Sequence, residues 1–150
     1  MNRNLPRPAT DMRSPAGIDR LKAVLEDYHR FDDGLRLSFE YVYEPGRPLA
    51  ARILLHARNH ALPGYAWRKV RIAVGDVHEL RAQVRGHHFN AIGSGVKLIP
   101  AGTRWCIDVD GDYDSGDECS VEEVRAFGTC FVIGSDIDVE ELPAEEGGRG

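Results

Sequence analysis

The chain has 150 residues, a formal net charge of −5, and 42% hydrophobic and 29% charged residues. This suits one globular domain that can bury a core without staples. No apolar run reaches the roughly 18 residues of a membrane span, the opening MNRNLPRPATDMRSP lacks the apolar stretch of a secretory signal, and a pI near 5.7 argues against a nucleic-acid partner. A cytoplasmic protein that meets neither membrane nor nucleic acid is therefore expected.

Residues 1–14, with their Pro, Arg and Asn content, read as a disordered arm. Ser14-Pro15 is a helix start, an N-cap followed by proline at the first helical position. Ile18, Leu21, Val24, Leu25 and Tyr28 then recur at helical spacing and form one apolar stripe. Asp32-Asp33-Gly34 is the expected stop.

Period-2 patterning follows. Leu35, Leu37, Phe39, Tyr41 and Tyr43 alternate with more polar residues, as in a half-buried strand. Glu44 to Pro48 is a turn, and residues 49–57 form a second strand, so 35–57 reads as a hairpin. Val70, Ile72 and Val74 mark a third strand, which Gly75-Asp76 is expected to break. Leu80, Ala82 and Val84 mark a fourth. A short segment with Phe89 and Ile92 precedes Gly93-Ser94-Gly95. Residues 96–99 and 104–109 should pair across the Pro100-Ala101-Gly102 turn.

Ser120-Val121-Glu122-Glu123 is a capping box that opens a short helix to about Phe127. Residues 130–133 and 137–142 are the last expected strands, and 143–150 an expected disordered tail. The fold class that results is α+β. An N-terminal helix packs on an antiparallel β-sandwich or sheet of about seven strands, all within one domain over residues 15–142.

Charge is unevenly distributed. Residues 1–107 hold 17 basic and 10 acidic side chains, whereas 108–150 hold 2 and 14. Such a split means either that the acidic third folds back on a basic body or that it presents an acidic face to a basic partner. The acidic loop DVDGDYDSGDE carries the candidate partner-binding residues: Asp108, Asp110, Asp112, Tyr113, Asp114, Asp117 and Glu118. Asp108, Asp110 and Asp112 imitate the first ligands of an EF-hand. The imitation fails at position 6, where Tyr113 replaces glycine, and at position 12, where Cys119 replaces glutamate. On a strand, Asp108 and Asp110 face away from Trp105, Ile107 and Val109, and two like charges there need something basic nearby.

The remaining motifs carry no chemistry. Cys106, Cys119 and Cys130 are odd in number and lack a CxxC, which reads as free thiols without a disulfide or zinc. His56 and His60 would stand roughly 13 Å apart on a strand, too far to share an ion. His87 and His88 are adjacent, with side chains that diverge. Gly93-Ser94-Gly95 lacks the context of a nucleophile elbow, and no phosphate-cradling loop occurs. The chain is expected to have no catalytic residue, no metal and no cofactor, and not to be an enzyme.

One resemblance bears on function. Trp67-Arg-Lys-Val-Arg-Ile, Gly75-Asp76-Val77-His78-Glu79-Leu80, Ser94-Gly95-Val96-Lys97-Leu98, Trp105-Cys-Ile-Asp-Val-Asp110, and Glu122-Glu123-Val-Arg-Ala ahead of Cys130-Phe-Val-Ile-Gly134 follow in order. Over residues 67–142 this pattern resembles small bacterial β-rich proteins of the polymorphic or contact-dependent toxin immunity type. The resemblance implies a cytoplasmic immunity protein that binds and neutralises a cognate toxin, a basic nuclease being the kind of toxin an acidic surface would cover. It supplies no catalytic residue, and the polar insert at 112–119 departs from its pattern. The alternative is a small-ligand or calcium-binding β module without catalysis.

Overall fold

A computed structural model describes residues 15–86 and 89–144. The expected arm at 1–14, the Ser14 cap, His87, His88 and the tail from 145 onward lie outside them. Helix α1 spans Pro15–Asp27. Its stripe behaves as the spacing requires: Ile18, Leu21, Leu25 and Tyr28 are buried. The helix ends at Asp27, short of the expected stop. His29, Arg30, Phe31 and Asp33 all take positive φ, between 50° and 65°. Left-handed backbone costs about 1–2 kcal/mol per residue. Burial of Phe31, which stacks on Tyr28 with centroids 5.1 Å apart, offsets part of this. A stacked pair of imidazoles, His29 on His60 at 3.6 Å, also holds the turn.

Six strands follow: β1 Leu35–Val42, β2 Ala50–Arg58, β3 Trp67–Ala82, β4 Val96–Ala101, β5 Arg104–Val109 and β6 Cys130–Glu141. They form one antiparallel open sheet in the order β1-β2-β3-β6-β5-β4. The expected sandwich and its seventh strand are therefore corrected. Gly75-Asp76 does not end a strand, and neither does Gly134-Ser135-Asp136. The chain bends there and continues, with Asp76 at φ 51° and a register shift between Val77 and Glu79. Such a bulge flips the alternation of side chains, so the sequence pattern looks broken where the hydrogen-bonded ladder is not. Glycine is needed at the bend, because a Cβ at Gly134 would lie 2.5 Å from Val74 Cγ1.

The two halves of β3 and β6 thus serve different neighbours. Residues 67–74 of β3 pair with β2, and residues 131–134 of β6 pair with β5, on opposite sides of the long β3–β6 ladder. The sheet curls around α1, and the turn at 29–31 touches both β2 and β4. Backbone bonds from Asp33 and Arg36 to the 90–92 segment cover the start of β1. The core inside the curl joins α1 to Ile53, Leu55, Ile72, Val74, Ile107, Val109 and Val132. A second, smaller core lies on the outer face of β4, β5 and β6. Helix α2, Val121–Phe127, closes it over Cys106, Phe131 and Ile133. Seven residues make a marginal helix alone. The Ser120 Oγ cap on the Glu123 amide and the Arg125–Glu79 ion pair at 2.9 Å hold it in place.

Candidate functional site

The acidic segment begins where β5 ends. The β4–β5 hairpin sets Lys97 opposite Asp108. Asp108 faces away from Ile107 and Val109 as expected, but the second core covers that face, and Asp108 is fully buried. Its Oδ1 accepts from Tyr113 Oη at 2.6 Å, and its Oδ2 from the Gly111 amide at 3.1 Å. Lys97, also buried, donates its Nζ to the Ser94 and Gly111 carbonyls at 2.9 and 2.6 Å. Asp110 turns the other way with φ 65°, and its Oδ1 accepts the Gly93 and Ser94 amides at 2.8 and 2.7 Å. The two aspartates that imitate calcium ligands therefore diverge, each onto its own backbone donors.

These bonds form a tether. Burial pushes the Asp108 carboxyl above its usual range, while the Tyr113 hydroxyl, the Lys97 ammonium and the Gly111 amide pull it back. Burial and the neighbouring Asp108 push the Tyr113 phenol up. The same two causes push the Cys106 thiol to about 12 and raise that of Cys119, so both are poor nucleophiles. Tyr113 fits between glycines. A Cβ at Gly111 would strike its ring, and one at Gly128 would lie 2.6 Å from its hydroxyl.

Of the seven candidate residues, Asp108 and Tyr113 are buried and Asp110 is half-buried and spent on amides, so these three anchor the loop. Asp112, Asp114 and Glu118 are exposed, and none forms an ion pair among the described residues. Asp117 belongs to the 3-10 turn Gly116–Glu118. The acids of β6 behave differently. Asp138 pairs with Arg20, Glu140 with Arg71 at 3.2 Å, and Glu141 accepts from Tyr28 and Asn59. The first alternative of the charge split is thus seen in β6, whose acids fold back on the basic body, whereas Asp112, Asp114 and Glu118 form no ion pair among the described residues.

Lys97 was not singled out in the sequence, though a signal existed. It is a lone cation in an apolar run, but counting outward from the expected turn at 100–102 would set it opposite Trp105, and only the actual turn at Gly102-Thr103 sets it opposite Asp108. Other features had no such signal. A cleft of about 640 Å³ is lined by Arg36, Gln83, Val84, Arg85, Phe89, Val109, Asp110 and Thr129. Its walls come from segments that meet only because the sheet curls. A smaller hollow of about 180 Å³ lies beside the left-handed turn, where Arg58 packs under the Tyr65 ring at 4.3 Å next to Trp67 and His60. His56 meets the edge of Trp67 while His60 stacks on His29, so the two histidines have separate partners. No helix among the described residues is long and apolar enough to cross a membrane. No family model, curated protein or solved structure matches the chain.

Proposed function

We propose that the protein is an immunity protein whose 111–118 loop docks on a basic surface of a cognate bacterial toxin and blocks it. The observation that carries this reading is the contrast between the two ends of the loop. Its base is locked by Asp108, Tyr113, Lys97 and Asp110, whereas Asp112, Asp114 and Glu118 project from it without cationic partners among the described residues. A pre-ordered loop loses little conformational entropy on binding. Unpaired surface acids raise the association rate with a cationic partner and fix its orientation. A nuclease, whose cleft is built to attract phosphates, is the kind of toxin such a surface would cover. The resemblance to the immunity type spans 67–142, and the polar insert at 112–119 departs from its pattern, as an element specific to one partner would.

The test is binding to the product of the adjacent reading frame, with rescue of growth as the second measurement. The wild-type protein is expected to form a tight 1:1 complex that weakens steeply with salt. The triple variant D112N/D114N/E118Q should keep its fold, since none of the three supports the loop, yet associate about tenfold or more slowly. Asp110 is left intact because its carboxylate ties Gly93 and Ser94. A triple variant that binds and protects like the wild type would remove the acidic loop from the mechanism.

A further inference from the structure

The 640 Å³ cleft is within the roughly 300–1,000 Å³ of small-molecule sites. It opens where the start of β1, the end of β3, the end of β5 and the start of β6 converge. Two guanidiniums line it, Arg36 and Arg85, and neither forms a salt bridge among the described residues. Arg36 is held in place. Its amide donates to the Asn90 carbonyl, and its carbonyl accepts from the Asn90 side-chain amide. One carboxylate, Asp110, shares the wall, but its Oδ1 already accepts two amides. Positive charge is therefore in excess. Beside it stand two exposed apolar side chains, Phe89 at 89% and Val84 at 75%. Apolar side chains beside a few polar groups at a cleft are the lining a small-molecule ligand can cover.

We propose that this cleft binds a small organic acid. Its anionic group lies between Arg36 and Arg85, with Gln83 and Thr129 as neutral donors, and its apolar body lies against Phe89 and Val84. The arginine fork suits a planar carboxylate, because it offers two parallel donors that match the two oxygens. The site is separate from the exposed acids of the loop, and the proposal does not depend on the toxin.

The experiment is a titration of the full chain, followed by amide chemical shifts, with benzoate, benzamidine and inorganic phosphate as probes. Benzoate should bind saturably at millimolar concentration and shift residues 36, 83–85, 110 and 129. Benzamidine has the same ring with the opposite charge and should not bind. Phosphate lacks the apolar body and should bind more weakly than benzoate. Arg85→Gln should weaken benzoate about tenfold, the loss of one charge-assisted hydrogen bond. Phe89→Ala should weaken benzoate but leave phosphate unchanged. Both side chains are exposed, so the variants are expected to fold, which the unfolding midpoint checks. Benzamidine binding as tightly as benzoate, phosphate binding equal to benzoate, no saturation by benzoate, or wild-type affinity in both variants would each overturn the proposal.

Discussion

Replacing Tyr113 by Phe removes one oxygen and leaves the ring in place. That oxygen donates to Asp108 Oδ1 at 2.6 Å inside the second core. A hydrogen bond to a charged group contributes about 1.5–3 kcal/mol, and here its loss leaves a buried carboxylate oxygen without that donor. Taking about 2 kcal/mol, and about 2–4 °C per kcal/mol for a domain of this size, Tm should fall by about 4–8 °C at neutral pH. The pH dependence carries the sharper prediction. Burial already raises the Asp108 pKa above its usual value, and the Tyr113 hydroxyl opposes that shift. A raised folded pKa means that the neutral carboxyl is favoured: its stabilising contribution is complete below the unfolded value and is lost as pH rises through the folded one. Without the hydroxyl, the folded pKa rises further. The gap between variant and wild type should therefore widen as pH rises through the acid range, and narrow below about pH 4. The assay is thermal unfolding across that range. An unchanged Tm at neutral pH, or a deficit that grows on acidification, would refute the account of Asp108 as a buried, tethered carboxylate.

Gly128→Ala places a Cβ 2.6 Å from the Tyr113 hydroxyl and 2.7 Å from the Val124 carbonyl. It should cost about 1–3 kcal/mol by urea unfolding, and less in a Tyr113→Phe background, where one of the two clashes is gone. His60 is held below its usual pKa by desolvation and by His29 stacked against it. A lowered folded pKa gives stability that is present above the unfolded value and lost as pH falls through the folded one. His60→Gln should therefore flatten the loss of Tm on acidification from neutral pH, and a variant that tracks the wild type throughout would contradict the stacking argument.

The acidic loop shows how far sequence patterns reach. Face parity placed Asp108 opposite Ile107 because alternation is a local property of a strand, but whether that face meets water depends on what packs over it. Here α2 and Tyr113 do, and they arrive from residues further along the chain. The capping box at Ser120 was legible for the same local reason, and so was the apolar stripe of α1. The end of α1 was not. Asp32-Asp33-Gly34 is a sound stop, yet the helix halts at Asp27, because burying Phe31 and stacking His29 on His60 need partners from the core and from the loop after β2.

The sequence by itself determined the α+β class, the positions of most strands, the β4–β5 hairpin and the concentration of acid after residue 107. These follow from propensity, period and composition, which act over a few residues. Only the tertiary structure decided that β3 and β6 run unbroken through their bends, that one curled sheet takes the place of a sandwich, and that the acids divide into paired, buried and unpaired sets. It also brought Arg36 and Arg85 to one cleft. Each of these depends on contacts between residues far apart in the chain, and the bulges that create them disguise continuous strands as broken ones.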